Sequence, residues 1–201
     1  ALNNHLSINE DTRRNLQEYA KKVGYQRNQV SLNLLNTKTA SIGVIVPTIN
    51  NYYESAIIEG IDAVLQPLGY TLNICVTNER YLLESEYITK LLSNRVEGIF
   101  LSVSQETYDF GHYEHLENMG QRNLPLIFID RDYEGFCAGS VTIDDYDGAF
   151  AAVQHLINTG RRRIAHLKGP NGMAVTEQRF KGYAECLKQY SLPVDESLII
   201  N

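Results

Sequence analysis

Short runs of Ile and Val recur along the chain at the spacing of a strand plus a helix. That recurrence limits the fold more than any single motif. The runs are Ile42–Val46, Thr71–Val76, Gly98–Val103, Leu126–Ile129, Val141–Ile143 and Ile164–Leu167. They show little polar alternation, as expected of strands covered on both faces. Helical periods lie between them. Ile57, Ile58, Ile61, Val64, Leu65 and Leu68 form one apolar face, closed by Gly69. Leu83, Tyr87, Ile88 and Leu91 form a second, Phe150, Val153, Leu156 and Ile157 a third closed by Gly160, and Phe180, Tyr183, Ala184 and Leu187 a fourth. The first three runs start about 28 residues apart, the length of a βα unit. The expected class is α/β, a parallel doubly wound sheet with helices on both faces. Ligands of such sheets sit beyond the carboxyl ends of the strands. The loops after Val46, Val76, Val103, Ile129, Ile143 and Leu167 should therefore build the site.

Composition fits a globular domain: 43% of the 201 residues are hydrophobic and 21% charged. No apolar run approaches the roughly 18–20 residues that span a bilayer, so no membrane partner is expected. The three cysteines, Cys75, Cys137 and Cys186, lie far apart and form no CxxC. Their number and spacing fit a reducing, cytoplasmic compartment. Charge is uneven. Residues 1–40 carry +3 and the remainder −9, within a total of −6. A basic N-terminal piece on an acidic body suggests a small nucleic-acid module joined to something else, although an ordinary solvated helix explains the same charges.

Asn9 is placed to cap a helix from about Glu10 to Val23, with Glu10 and Asp11 in its first turn and Lys21 and Lys22 in its last. Leu16, Tyr19, Ala20 and Val23 would form a stripe too short to bury itself, and Gly24 marks the stop. Residues 26–40 are polar without a clear period and read as a linker. The chain opens at Ala1 inside a polar cluster and ends just after an apolar run, as a piece of a longer protein would.

Motifs for chemistry are largely missing. No GxGxxG or GxxxxGK[ST] follows a strand, and no GxSxG elbow occurs. His112-Tyr113-Glu114-His115 lacks the HExxH spacing and reads as a polar helix or loop surface rather than a metal site. Gly169-Pro170-Asn171-Gly172 fits a ligand approach or a plain turn. No nucleophile, base and oxyanion donor come together, so no enzyme activity, cofactor or metal is expected. The strand-end loops do carry Asn51, Tyr52, Tyr53, Ser104, Asp130, Arg131, Asp132, Asp144 and Asp145, and Arg179 sits on the last helix. Carboxylates, amides and Arg beside an aromatic platform suit a polyhydroxylated or ring-shaped small molecule. Asp144 and Asp145 suit helix caps equally well.

These residues, in this order, resemble the lactose-repressor (LacI/GalR) family of bacterial transcription regulators. Ala1-Leu2-Asn3-Asn4 resembles the tail of its recognition helix, and Thr12-Arg13, Gly24-Tyr25 and Asn28 its third DNA-domain helix and turn. Ile42-Gly43-Val44-Ile45-Val46-Pro47 with Asn51-Tyr52-Tyr53-Glu54 resembles the family's IGVIVP…NPFF opening. Arg95-Val96-Glu97-Gly98-Ile99, Ile129-Asp130-Arg131, Asp144-Asp145, Gly160-Arg161-Arg162-Arg163-Ile164 and Gly169-Pro170…Arg179…Gly182-Tyr183 follow in family order.

The resemblance implies three parts. Residues 1–27 would be the C-terminal part of a helix-turn-helix domain, and residues 28–40 a hinge. Residues 41–201 would be the effector-binding core of periplasmic-binding-protein type, chiefly its first lobe, with the second starting near residue 171. The base-reading residues would then lie outside the chain. Tyr25 and Asn28 would meet the phosphate backbone, and Leu34 would wedge into the minor groove. Ser31-Leu32 stands where the family usually has Ala-Arg. Tyr53, Asn51, Ser104, Asp130, Arg131, Asp144 and Arg179 would line the effector site. Glu54 stands where an aromatic is common, and Met173 and Val175 where purine-binding relatives have Arg and Thr, which favours a sugar-like effector over a purine. The implied partners are operator DNA, that effector, and a second copy in a homodimer or a tetramer. A periplasmic sugar-binding protein with no DNA-binding role is the alternative; the basic residues 1–36 speak against it.

Overall fold

The computed structural model describes residues 9–25, 39–120, 124–133, 135 and 139–200. The chain divides into two compact units, residues 1–39 and 40–201. In the first unit, α1 spans Glu10–Lys22. Its cap is the expected one: Asn9 Oδ1 accepts the Asp11 N–H at 2.9 Å. Glu10–Arg13 and Asp11–Arg14 pair along its surface at 3.8 and 3.4 Å. Leu16, Tyr19 and Val23 are all exposed, and no residue of α1 is buried.

The second unit runs β1 (Ser41–Val46), α2 (Tyr52–Leu65), β2 (Thr71–Val76), α3 (Tyr81–Ser93), β3 (Gly98–Leu101), α4 (Gln105–Phe110), α5 (Glu114–Gly120), β4 (Leu126–Ile129), β5 (Gly139–Val141), α6 (Asp145–Asn158), β6 (His166–Leu167), α7 (Ala174–Gln189) and β7 (Ile199–Ile200). Strands β1–β5 form one sheet in the order β2-β1-β3-β4-β5, every neighbouring pair parallel. Strand β1 shows why the apolar runs lack alternation. Ile45 packs on one face with Leu101, Phe128, Ile88, Leu91 and Leu116. Val44 and Val46 pack on the other with Ile129 and the inner side of α2.

Three expectations shift. The run Gly98–Val103 leaves the ladder after Leu101, although Ser102, Val103 and Ser104 stay buried. The fifth strand lies two residues earlier than Val141–Ile143. It is an exposed edge strand, so no burial signal marks it in the sequence. The sixth run does not join the sheet. His166–Leu167 pairs instead with Ile199–Ile200 in a second, two-stranded sheet.

That second sheet accompanies a separate apolar cluster: Val153 and Ile157 of α6, Tyr183, Cys186 and Leu187 of α7, and Ile164 between α6 and β6. The two helices meet at Gly182. A Cβ built there would lie 2.3 Å from the Tyr146 carbonyl oxygen and 3.0 Å from the Phe150 nitrogen. Neither backbone atom can yield without moving α6. Gly182→Leu is therefore expected to destabilise the fold by about 2–3 kcal/mol or more, as overpacking does. Urea unfolding would show this as a lower midpoint.

Candidate functional site

Because β1–β5 are all parallel, their carboxyl ends open on one side, and the polar loops identified in the sequence collect there. A cleft of about 440 Å³ lies at that edge, lined by Asp130, Asp132, Thr142, Ile143, Asp144, Asp145 and Tyr146, and by Ala174, Val175 and Gln178 of α7. It therefore lies between the strand ends and the start of α7.

Asp130 is the pivot of the cleft. It follows β4 with φ +62°, left-handed backbone that is uncommon outside Gly, Asn and Asp. Burial pushes its carboxyl up, and the Arg131 guanidinium opposes that shift. Tyr53 is pushed up to about 12, first by burial and then by the nearby Asp130 carboxylate. Tyr53 is 40% exposed, so its ring stays available beside the cleft. Asn51 acts locally. It caps α2, its Oδ1 accepting the Glu54 N–H at 2.8 Å.

The two arginines are held by carboxylates. Arg131 Nη1 donates to both oxygens of Glu79 at 2.9 and 2.8 Å, and its Nε lies 3.6 Å from Asp130. Glu79 has φ +63° and also accepts the Gln105 N–H at 2.9 Å. Arg179 Nε donates to Asp145 at 2.6 Å; that carboxylate is almost wholly buried, while the guanidinium stays half exposed. Asp144 caps α6, accepting the Asp147 N–H at 2.8 Å, and also lines the cleft. The two aspartates thus divide the roles that the sequence left open.

Ser104 points inward. It is fully buried, its hydroxyl donates to Thr77 Oγ1 at 2.8 Å, and its N–H donates to Glu84 at 2.6 Å. Glu84, also fully buried, accepts from Thr107 at 2.8 Å and pairs with His115 Nε2 at 2.7 Å. His115 is therefore a core histidine and not part of a polar surface. Among the described residues no cluster of His, Cys, Asp and Glu could hold a metal ion. The Gly169–Gly172 stretch is a turn, in which Lys168 Nζ meets Asn171 Oδ1 at 3.0 Å. In the first unit Tyr25 is 60% exposed, and Asn28 and Leu34 lie outside the described residues.

Sequence reasoning left Glu79, Glu84 and Asp145 out of the effector-binding set. The partners of Glu79 and Glu84 lie 20 or more residues away in the chain, and no local pattern signals them. Glu54 was legible only as a departure from the family pattern. It is 3% exposed, and its Oε2 has no hydrogen-bond partner. Burial and then Asp130 raise it from 4.5 to about 7. The folded protein therefore holds a proton there that the unfolded chain has lost, and stability falls as pH rises through that window. Glu54→Gln removes this proton uptake. Relative to wild type it is expected to gain about 1–3 kcal/mol between about pH 5 and pH 8, read by urea unfolding at both.

Comparison with known proteins agrees with this architecture. Residues 39–201 match the family described as periplasmic binding proteins and sugar binding domain of LacI family. The ribose operon repressor of Bacillus subtilis is 31% identical over 188 residues, covering 94% of this chain and 55% of that protein. The crystal structure of the transcription regulator CcpA of Lactococcus lactis superposes with a TM-score of 0.70 at 26% identity, covering 80% of this chain and 57% of that one. A periplasmic binding protein/LacI transcriptional regulator from Alkaliphilus metalliredigens, complexed with D-xylulofuranose, gives 0.68 at 29%, covering 80% and 56%. The chain spans a little over half the length of the curated relatives it matches. A matched segment of this extent, on a five-stranded parallel sheet with its cleft at the strand ends, makes the chain a member of the LacI family.

Proposed function

We propose that the chain is part of a DNA-binding transcription regulator, a repressor, whose operator affinity is set by a sugar-like effector bound in the cleft. The observation that carries this reading is the cleft itself. Carboxylates, an aromatic ring and the Asp145–Arg179 pair converge at the ends of parallel strands. Such groups match the hydroxyls and apolar faces of a sugar ring, and the D-xylulofuranose-bound relative has the same fold. On this reading Arg179, Tyr53, Asp130 and Asp144 contact the effector. Asn51, Ser104 and Arg131 fix the geometry beneath it. The chain acts by binding rather than by catalysis, inside the cytoplasm where its operator is. No helix among the described residues is long and apolar enough to cross a membrane.

Residues 28–40 form the hinge of this reading, with Leu34 as the minor-groove wedge and Tyr25 and Asn28 on the phosphate backbone. The regulator is a homodimer. Support for a second copy comes from β2, the edge strand among the described residues, and the helix before it, where Ile74, Val64 and Leu68 are 48, 65 and 67% exposed. Effector binding changes the angle between the two cores, and the hinges then pair on DNA or separate. Such coupling is usually worth about 1–3 kcal/mol, or about 5–150-fold in operator affinity.

Genomic fragments captured by the intact gene product should share one pseudo-palindromic site, as two-fold symmetric binders require. Capture without a common site would count against the reading. Arg179→Ala leaves Asp145 buried without its partner. It is expected to weaken effector binding by about 10–100-fold, the range for a charged hydrogen bond, with effector-free operator affinity unchanged. Ile74→Lys should shift the sedimentation profile toward monomer and weaken operator binding with it.

A further inference from the structure

A second cavity, of about 570 Å³, lies between α3 and α5. It shares no lining residue with the strand-end cleft. Ile88 and Leu92 of α3 and Met119 of α5 give it an apolar wall. Ser85, Thr89 and Asn118 add polar groups, and no Asp, Glu, Lys or Arg lines it among the described residues. His115 completes the lining. A volume of this size, with an apolar wall and a few polar groups, is what a small-molecule site needs.

The second observation is the His115 ring itself. The residue is 8% exposed. Its Nε2 lies 2.7 Å from Glu84 Oε1, and its Nδ1 is buried without a hydrogen-bond partner. Glu84 also accepts the Ser104 N–H and the Thr107 hydroxyl. The carboxylate acts as an acceptor throughout, so Nε2 carries the proton that it receives, and Nδ1 is left as a bare acceptor. The Tyr81 ring packs edge-on against the imidazole with centroids 5.0 Å apart, which fixes its plane. The two nitrogens of an imidazole point in divergent directions, so a ring that turns Nε2 to Glu84 turns Nδ1 away from it. Glu84, Ser104 and Thr107 do not line the cavity, whereas His115 does. The nitrogen left over therefore lies on the side of the ring away from the Glu84 network, where the cavity is. A buried acceptor without a donor forfeits its hydration and receives nothing in return.

We propose that the cavity between α3 and α5 is a second small-molecule site. Its ligand is a small neutral alcohol or phenol, whose hydroxyl donates to His115 Nδ1 while its apolar body packs on Ile88, Leu92 and Met119. A charged ligand would lose its hydration with no counter-charge in the lining, and an anion would also face Glu84 across the ring. A hydrocarbon would fill the volume but leave Nδ1 without a donor. The site does not depend on what the strand-end cleft binds.

The test uses the intact gene product with isotope-labelled histidine, followed by NMR of the ring nitrogens near neutral pH. Benzyl alcohol is the probe, compared with toluene, benzoate and benzylamine, which share its ring and differ in the group that would meet Nδ1. Without ligand, the His115 ring should carry its proton on Nε2. Benzyl alcohol should shift the Nδ1 resonance saturably and bind about fivefold or more tightly than each of the other three. His115→Phe keeps a ring but removes both nitrogens, and should reduce the preference for the alcohol over toluene to about twofold or less. Thr89→Trp fills the cavity from an exposed position outside the Glu84 network. It should abolish binding of alcohol and toluene alike, and serves if His115→Phe does not fold. No shift of the His115 ring at millimolar benzyl alcohol overturns the proposal, and an Nδ1 satisfied by water alone would give that result. So does a proton on Nδ1 in the free protein, toluene or a charged probe binding as tightly as the alcohol, or binding unchanged in Thr89→Trp.

Discussion

A parallel strand cannot turn straight back into its neighbour. Each must cross over a face of the sheet before the next begins, and most of the architecture depends on this constraint. The crossovers cover both faces, so β1 is buried through Val44, Ile45 and Val46 together. They also send every strand in the same direction, so every strand-end loop emerges at the same edge. Groups as distant in sequence as Tyr53, Glu79, Asp130 and Arg131 become neighbours for that reason alone. The cleft is a by-product of connectivity, and its chemistry depends on the residues the chain places at those ends.

What the chain places there is mostly acid, and the fold manages it unevenly. Glu84 is fully buried yet satisfied by a backbone N–H, a hydroxyl and the His115 ring. Removing one partner of such a buried pairing is costly because the survivor stays out of water. Glu79 is satisfied by Arg131 and a backbone N–H. Glu54 alone of these three has an oxygen without a partner. The contrast separates acids that hold loops in place from an acid that the fold buries without a full set of partners.

The parts of the fold that were legible in the sequence are those where burial leaves a local mark. The apolar run of β4 matches its strand to the residue and that of β1 to within one residue, through Leu126-Ile127-Phe128-Ile129 and the buried Val44-Ile45-Val46; the edge strand β2 also matches, on its Leu72, Ile74, Cys75 and Val76 rather than on burial. β5 was displaced because its residues, Gly139–Val141, are exposed at an edge and carry no such mark. The pairing of β6 was not legible, since an apolar run reports burial but not which sheet buries it. Around the cleft, Asp130 and Asp144 could be placed from their positions after apolar runs. The inward turn of Ser104 could not, because Thr77 and Glu84 draw it in from 27 and 20 residues away. The hinge and wedge positions Asn28 and Leu34 lie outside the described residues.

The contact at Gly182 has a mechanical consequence. Two helices separated by interdigitating side chains can creep past one another as rotamers change. Two helices that touch backbone to backbone have no such slack. With the Tyr146 carbonyl oxygen and the Phe150 nitrogen leaving no room for a Cβ, α6 and α7 cannot slide past one another there without moving backbone, and they form one stiff arm. Asp144 and Asp145 stand at the start of one bar of that arm, and Arg179 within the first turns of the other. A force applied to any of the three is therefore delivered to the far ends of both helices together, with no slippage lost between them.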